Sequence, residues 1–242
     1  MNVLVMGDSC VDEFVYGNIS RICPEAPVPV FEPLRYTRNR GMAYNVANNF
    51  RSLGVKVSLL TNKNKIKKTR YIDEKSGQML MRVDTDDHCE PFDGELPDMS
   101  LYDAVVISDY NKGFLNEDHL SDIRKKDHPV IFLDSKKTLG LWCEDFDFVK
   151  INEHEWKQSE KTYSFSNAII TKGGGGASYK GVEYPVDEKV KVSNVSGAGD
   201  TFLAALVFEY LKKHDIISAI RFANNCASKV VQQRGVTTIK LK

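Results

Sequence analysis

The sequence predicts an α/β protein with a mostly parallel central sheet and a small β-sheet lid. Three observations predict it: short buried-strand runs alternate with amphipathic helical patterns, two segments alternate polar and apolar residues instead, and the last third is helical. With 242 residues, 42% of them hydrophobic, the chain is expected to form one domain over 1–242. A domain of that size buries about three quarters of the surface its unfolded chain would expose, so no disulfide or metal staple is required.

The elements follow in order. Residues 2–6 are an apolar run ending in Gly7-Asp8, a buried strand whose carboxyl end delivers a carboxylate to a loop. Segment 13–38 alternates like half-exposed antiparallel strands. Ala43, Val46, Ala47, Phe50 and Leu53 then share one helical face that stops at Gly54. The run 55–60 is a second buried strand, and 68–84, around the turn Lys75-Ser76-Gly77, resumes the alternation. Runs 104–107, 130–133, 146–151 and 168–171 are further strands. Between the first two of these, Leu120 and Ile123 follow the acidic helix start Asn116-Glu117-Asp118. Residues 198–211, apolar nearly all round, suit a buried helix, and 216–231 form another. Ligands of open α/β sheets bind at the carboxyl ends of the strands, so segments 13–38 and 68–84 are expected to cover such a site as a lid.

Charge and cysteine usage narrow the function. The 33 basic residues balance 33 acidic ones, which argues against a partner held by a general positive field, so neither nucleic acid nor membrane is expected. Cys10, Cys23, Cys89, Cys143 and Cys226 show no CxxC spacing and read as free thiols. No signal-peptide pattern precedes the first strand, and no apolar run approaches the roughly 18 residues of a span, so the protein is expected to be cytoplasmic. His88, His119, His128, His154 and His214 show no HxxxH pairing and predict no metal site.

The strongest local motif is Asn194-Val195-Ser196-Gly197-Ala198-Gly199-Asp200-Thr201. Small residues opening an apolar helix leave backbone N–H groups free to face an anion, with Asp200 in the first turn. Phosphoryl transfer needs both features: donors to hold the moving group, and a carboxylate to take the proton of the attacking hydroxyl. Spacing alone leaves open a plain glycine turn whose acidic residue is favoured by the helix dipole. Gly173 to Gly176 are not followed by Lys-Ser/Thr and lack the third glycine of a dinucleotide fingerprint.

Together with Arg40-Gly41-Met42-Ala43-Tyr44-Asn45, the GAGD segment resembles the two signatures of the ribokinase-like, PfkB-type carbohydrate kinases. Segments 20–30, Lys68-Thr69-Arg70, Ser108-Asp109-Tyr110-Asn111-Lys112-Gly113 and Asn225-Cys226-Ala227 resemble one branch, the D-glycero-D-manno-heptose-7-phosphate kinases. The resemblance covers nearly the whole chain and implies a three-layer α/β/α fold of ribokinase type. It implies that Asp200 is the catalytic base, with Gly197, Ala198 and Gly199 as the anion hole. Asp12, Gly41 and Asn45 would bind the sugar, and Arg70, Arg82 and Lys112, in or beside segments predicted to face the cleft, its phosphate; any one of these cations could equally be a solvated surface charge. Asn152 and Glu155 fit the NxxE pattern, whose glutamate holds hydrated Mg²⁺ near ATP. Lys136 would approach the ATP phosphates, and Thr171, Gly173, Gly176 and Asn224 would line the nucleotide site.

Three departures accompany the resemblance. Only residues 61–67 bridge a gap in which the family places several dozen, which predicts an uncovered surface and hence a homodimer. Met42 stands where the sugar-site turn usually has its second glycine. Asn194 replaces an aspartate near the family's K⁺ site, so K⁺ dependence is expected to be weak. The resemblance implies ATP-dependent phosphorylation of a sugar phosphate, foremost the heptose 7-phosphate to the 1,7-bisphosphate. Another sugar or nucleoside kinase of this fold, and a non-catalytic nucleotide- or sugar-binding homologue, remain open.

Overall fold

In the computed structural model, all residues are described except 64, 126–128, 160–164, 189, 234, 236 and 240–242. His128 therefore lies outside the described residues, as does one position of the 61–67 bridge.

The chain builds two sheets. The larger contains β1 (Asn2–Gly7), β4 (Lys56–Thr61), β7 (Ala104–Asp109), β8 (Val130–Ser135), β9 (Phe148–Asn152), β10 (Ala168–Thr171), β11 (Ala177–Tyr179) and β12 (Val182–Tyr184). Their order is β12-β11-β10-β9-β8-β7-β1-β4, parallel from β4 through β10 and antiparallel in the β10-β11-β12 meander. Sequence periodicity missed β11 and β12, three residues each, because the glycines around them read as turns.

Alternate residues of the parallel strands face opposite layers, as a pleat requires. Val3, Val5, Ala104, Val106 and Phe132 pack under α1 (Ala43–Ser52), α4 (Ala198–Lys213) and α5 (Ile216–Val230). Leu4, Met6, Val105, Ile107, Ile131 and Leu133 pack on the other face against Leu120 and Ile123 of α2 (Glu117–Lys125) and Trp156 of α3 (Glu153–Gln158). Both faces are covered, so the strands read as continuous apolar runs, and the layers are α/β/α.

The smaller sheet has the order β3-β2-β5-β6, formed by β2 (Ser9–Ile22), β3 (Pro29–Met42), β5 (Ile66–Asp73) and β6 (Met79–Thr85). It is wider than the alternation in 13–38 and 68–84 indicates: β2 starts two residues after β1, and β3 runs directly into α1. Its two halves are joined by a parallel β2–β5 pair. The short bridge from β4 to β5 is pinned by Asn62, whose Oδ1 accepts from the Ser9 N–H at 2.7 Å while its Nδ2 donates to the Ser9 carbonyl at 3.1 Å. A side chain thus supplies the pairing that a further strand residue would make. Among the described residues, no helix is long and apolar enough to cross a membrane.

Candidate active site

Two clefts lie on either side of the first turn of α4. Gly197 caps that helix in the left-handed region at φ 81°, which costs a glycine nothing and turns the chain sharply into the helix. The smaller cleft, about 240 Å³, reaches Gly197 and Asp200; the larger, about 540 Å³, reaches Ala198 and Gly199. One helix start therefore borders both spaces, and its positive end is available to an anion between them. The Gly199 and Asp200 N–H groups lie in the first turn, which has no preceding helical carbonyl to bond. The Ala198 N–H donates to the Val195 carbonyl at 3.2 Å, so this predicted anion-hole donor is engaged within its own turn.

Asp200 faces the smaller cleft and is only 5% exposed. Its Oδ2 accepts from Asn45 Nδ2 at 2.8 Å and its Oδ1 from the Tyr110 hydroxyl at 2.7 Å. Burial pushes its carboxyl up to about 6, against the pull of those two hydrogen bonds. A carboxylate in that range is ionised at neutral pH yet accepts a proton readily, as a general base must.

Across the cleft, Asp12 pairs through Oδ1 with Arg70 at 2.5 Å, and its other oxygen lies next to Gly41. A Cβ on Gly41 would lie 2.2 Å from Asp12 Oδ2, so only glycine leaves this carboxylate where it stands. Met42, at φ 61° and ψ −133°, adopts a backbone conformation that is nearly glycine-only, and its side chain is buried with Cys10 and Ile66. Packing holds a methionine where the backbone favours glycine.

Of the three cations predicted for the sugar phosphate, Arg70 and Arg82 line the smaller cleft and Lys112 does not. Lys112 Nζ instead bonds Asp87 at 2.5 Å. Lys68 and Arg82 take part in the lining, each paired with Asp84, at 3.9 and 2.9 Å. Lys68 lies two residues before Arg70 in the same motif and strand, but alternation does not say which lysine of a pair points inward, so the sequence assigns it no role.

The larger cleft is walled by Val186, Val190, Val192 and Val195 and floored by Thr171 and the turn from Gly173 to Gly176. Gly176 has φ 91°, and a Cβ there would lie 2.2 Å from the Tyr184 carbonyl. Asn224 reaches this cleft, but its amide donates to the Tyr184 carbonyl at 2.8 Å, which ties α5 to β12.

A buried charge chain lies behind the helix start. Lys150 Nζ, from β9, bonds Asp134 Oδ2 at 2.6 Å, and a Cβ on Gly199 would lie 3.2 Å from the same ammonium. Burial works against the Asp134 charge, but Lys150 and Lys136 outweigh it and hold the carboxyl below its ordinary range. Lys136 contacts Glu155 at 2.7 Å and Asp134 Oδ1 at 3.8 Å. Asn152 and Glu155 form a reciprocal capping box at the start of α3, so the NxxE spacing serves that helix whatever else it holds. Neither Lys150 nor Tyr110 was singled out from sequence: Lys150 hides inside an apolar strand.

The pfkB family carbohydrate kinase pattern matches residues 116–242. The bifunctional protein HldE of Helicobacter pylori strain J99 is 30% identical over 301 aligned positions, covering 99% of this chain and 65% of that protein. HldE of Nitratiruptor sp. is 26% identical over 298 positions, covering 99% and 63%. The chain thus spans just under two thirds of the length of these relatives. Because 301 positions align with a chain of 242 residues, at least 59 positions of the Helicobacter protein face a gap. Among solved structures, phosphofructokinase-2 from Escherichia coli in complex with potassium superposes with a TM-score of 0.73 at 15% identity, covering 98% of this chain and 94% of that one. Arabidopsis thaliana ribokinase complexed with ribose and ATP gives 0.71 at 15%, covering 97% and 93%. The fold is ribokinase-like, and the chain belongs to the pfkB family of carbohydrate kinases.

Proposed function

We propose that this chain transfers the γ-phosphoryl group of ATP to a hydroxyl of a sugar phosphate, D-glycero-D-manno-heptose 7-phosphate, giving the 1,7-bisphosphate. One observation carries the reading: two clefts of different chemistry meet at the first turn of α4, and a buried carboxylate with a raised pKa faces the smaller one. In this reading Asp12 accepts hydrogen bonds from sugar hydroxyls, Asn45 and Gly41 shape the same wall, and Arg70, Lys68 and Arg82 answer the sugar's phosphate. Asp200 accepts the proton of the attacking hydroxyl as the new O–P bond forms and ADP departs. The N–H groups of the helix start and the Lys150 ammonium offset the charge of the moving group.

The residues behind the helix fit a hydrated divalent ion. Among the described residues no group of three or more His, Cys, Asp or Glu could hold one directly. Glu155 is half-buried, and Asp134 Oδ1 is buried without a hydrogen bond. When bound with ATP, Mg²⁺ neutralises phosphate oxygens; Glu155 would hold its water shell, and Lys136 would move from Glu155 toward the phosphates. Thr171, Gly173 and Gly176 would floor the nucleotide, with Asn224 beside the base. K⁺ would bind weakly, since Asn194 offers only a neutral oxygen, and that Oδ1 already accepts from the Ser196 N–H at 2.8 Å.

Met42 favours a second reading, in which the acceptor is a different sugar, because this residue lines the smaller cleft at a turn usually made by glycine. ADP release over a panel of sugars, sugar phosphates and nucleosides separates the two. Turnover selective for the heptose 7-phosphate is expected, and greater turnover on an unphosphorylated sugar would overturn the first reading.

A homodimer belongs to the same proposal. Ile22, Val28, Leu34, Tyr36, Met79 and Met81 of the smaller sheet and its turn are 50–61% exposed, a large apolar surface for one chain to leave in water. Sedimentation at micromolar concentration should give twice the chain mass; a fully active monomer would contradict this.

A further inference from the structure

The loop after β7 is wrapped around one buried carboxylate that has no part in the chemistry described so far. Asp8, fully buried just past β1, accepts from the Tyr110 N–H at 2.7 Å and the Lys112 N–H at 3.3 Å on Oδ2. Its Oδ1 accepts from the Phe114 N–H at 3.1 Å and lies 3.8 Å from Cys89 Sγ. Three backbone donors from a five-residue stretch converge on one side chain, so the loop has a single conformation to adopt while Asp8 stays in place. That conformation aims the Tyr110 hydroxyl at Asp200 Oδ1, on the oxygen opposite the one Asn45 holds.

We propose that Tyr110 is a positioning residue that keeps Asp200 ionised and fixed in one orientation, and that Asp8 acts through the loop to set Tyr110 in place. The inference rests on the reading of Asp200 as the base. A buried carboxylate favours its neutral form, and a protonated base cannot accept the sugar's proton. The groups facing Asp200 divide accordingly. Asn45 from α1, Tyr110 from the loop and Lys150 from β9 favour the charge, while burial and Asp134 from β8 oppose it. Lys136, after β8, feels the Asp200 charge from farther off, and the Cys10 thiol of β2, pushed up to about 12 by burial, stays neutral. Asp12 and Arg70, in the same cleft, largely cancel each other. Tyr110 can act only as a donor to Asp200 at working pH, because burial and the Asp200 charge hold its hydroxyl well above the ordinary phenol range. Donors on both oxygens stop the carboxylate from rotating and leave its remaining lone pairs to the cleft.

Tyr110→Phe removes one oxygen and nothing else. The primary experiment follows the Asp200 carboxyl carbon by NMR from pH 4 to 9 in the ligand-free protein, wild type against Tyr110→Phe. The midpoint is expected to rise by about half to one pH unit in the variant. An unmoved midpoint would overturn the proposal. Turnover against pH at saturating substrates is the second readout, and its acid limb should move up with the NMR midpoint, so that the rate at pH 6 falls about two- to fivefold more than the rate at pH 8. An NMR shift without a matching kinetic shift would leave Tyr110's hold on Asp200 standing and remove Asp200 as base instead. Asp8→Asn, checked by thermal melting, should raise the midpoint in the same direction, with no further rise when Tyr110→Phe is added. Additive shifts would overturn the part assigned to Asp8, and if Asp8→Asn does not fold, Tyr110→Phe decides alone.

Discussion

The smaller cleft is shaped by charged side chains that hold one another, the larger by backbone and aliphatic walls. Around the smaller one, Asp12 is paired with Arg70, Asp200 with Asn45 and Tyr110, and Lys68 and Arg82 with Asp84. Around the larger one, five valines and a glycine turn form the lining, and a buried amide, Asn224, is occupied with the Tyr184 carbonyl. A site that must select among hydroxyls needs polar groups in fixed places, because an unpaired buried donor or acceptor penalises the wrong ligand. A mostly apolar cleft with first-turn N–H groups at one end suits a ligand recognised by apolar contact and by its phosphates. The difference between the regions is therefore a difference in what each can discriminate.

Variants should separate the two regions. Gly176→Ala is expected to have the larger effect, because its Cβ would meet a backbone carbonyl at 2.2 Å in a left-handed turn and neither partner can yield cheaply. KM for ATP should rise by about a hundredfold, with KM for the sugar nearly unchanged. Gly41→Ala meets a side-chain oxygen, Asp12 Oδ2, which can swing away. KM for the sugar should then rise by about tenfold while KM for ATP stays. Steady-state kinetics with each substrate varied in turn checks both, and a rise in the same KM for both variants would erase the distinction.

Met42 offers a smaller test. At φ 61° an alanine keeps the backbone strain and a glycine releases it, so Met42→Gly should be more stable than Met42→Ala by about 1 kcal/mol in urea unfolding. At ordinary strand or helix positions the order is reversed. Finding alanine the more stable here would mean that the turn relaxes once the methionine is gone. The smallest effect is expected at Asn194, where initial rates at constant ionic strength should depend weakly on KCl and more strongly after Asn194→Asp. Strong saturable activation of the unmodified protein would contradict this.

The parts of the fold legible in the sequence are those that periodicity encodes. β1, β7 and β8 are buried on both faces and read as unbroken apolar runs, and α4 is apolar nearly all round because it lies between the sheet and α5. The β11–β12 hairpin was not legible, since three-residue strands carry no period. At the site, Asp200 and Gly197 stood out because glycine next to an acidic residue at a helix start is a local pattern. Tyr110 reaches Asp200 over 90 positions and Asp8 reaches Phe114 over 106, and no local pattern records such pairs. Lys112 looked available because its partner Asp87 lies 25 residues away, on a different segment.

The central claim is that Asp200 takes the proton of the hydroxyl that attacks the phosphoryl group, and Asp200→Asn tests it most directly. Ionised Asp200 costs folding stability as pH rises from the ordinary aspartate value of 3.8 through its folded value of about 6, because the folded state prefers the protonated form. Asparagine avoids that cost, so the variant should melt no lower than the unmodified protein at pH 8, which guards against misfolding as an explanation. The measurement is turnover at pH 8 with ATP and sugar affinities determined on the same preparation. The account predicts a fall in turnover of roughly two to four orders of magnitude with both affinities within about threefold of the unmodified protein. Turnover like that of the unmodified protein in the folded variant would contradict it.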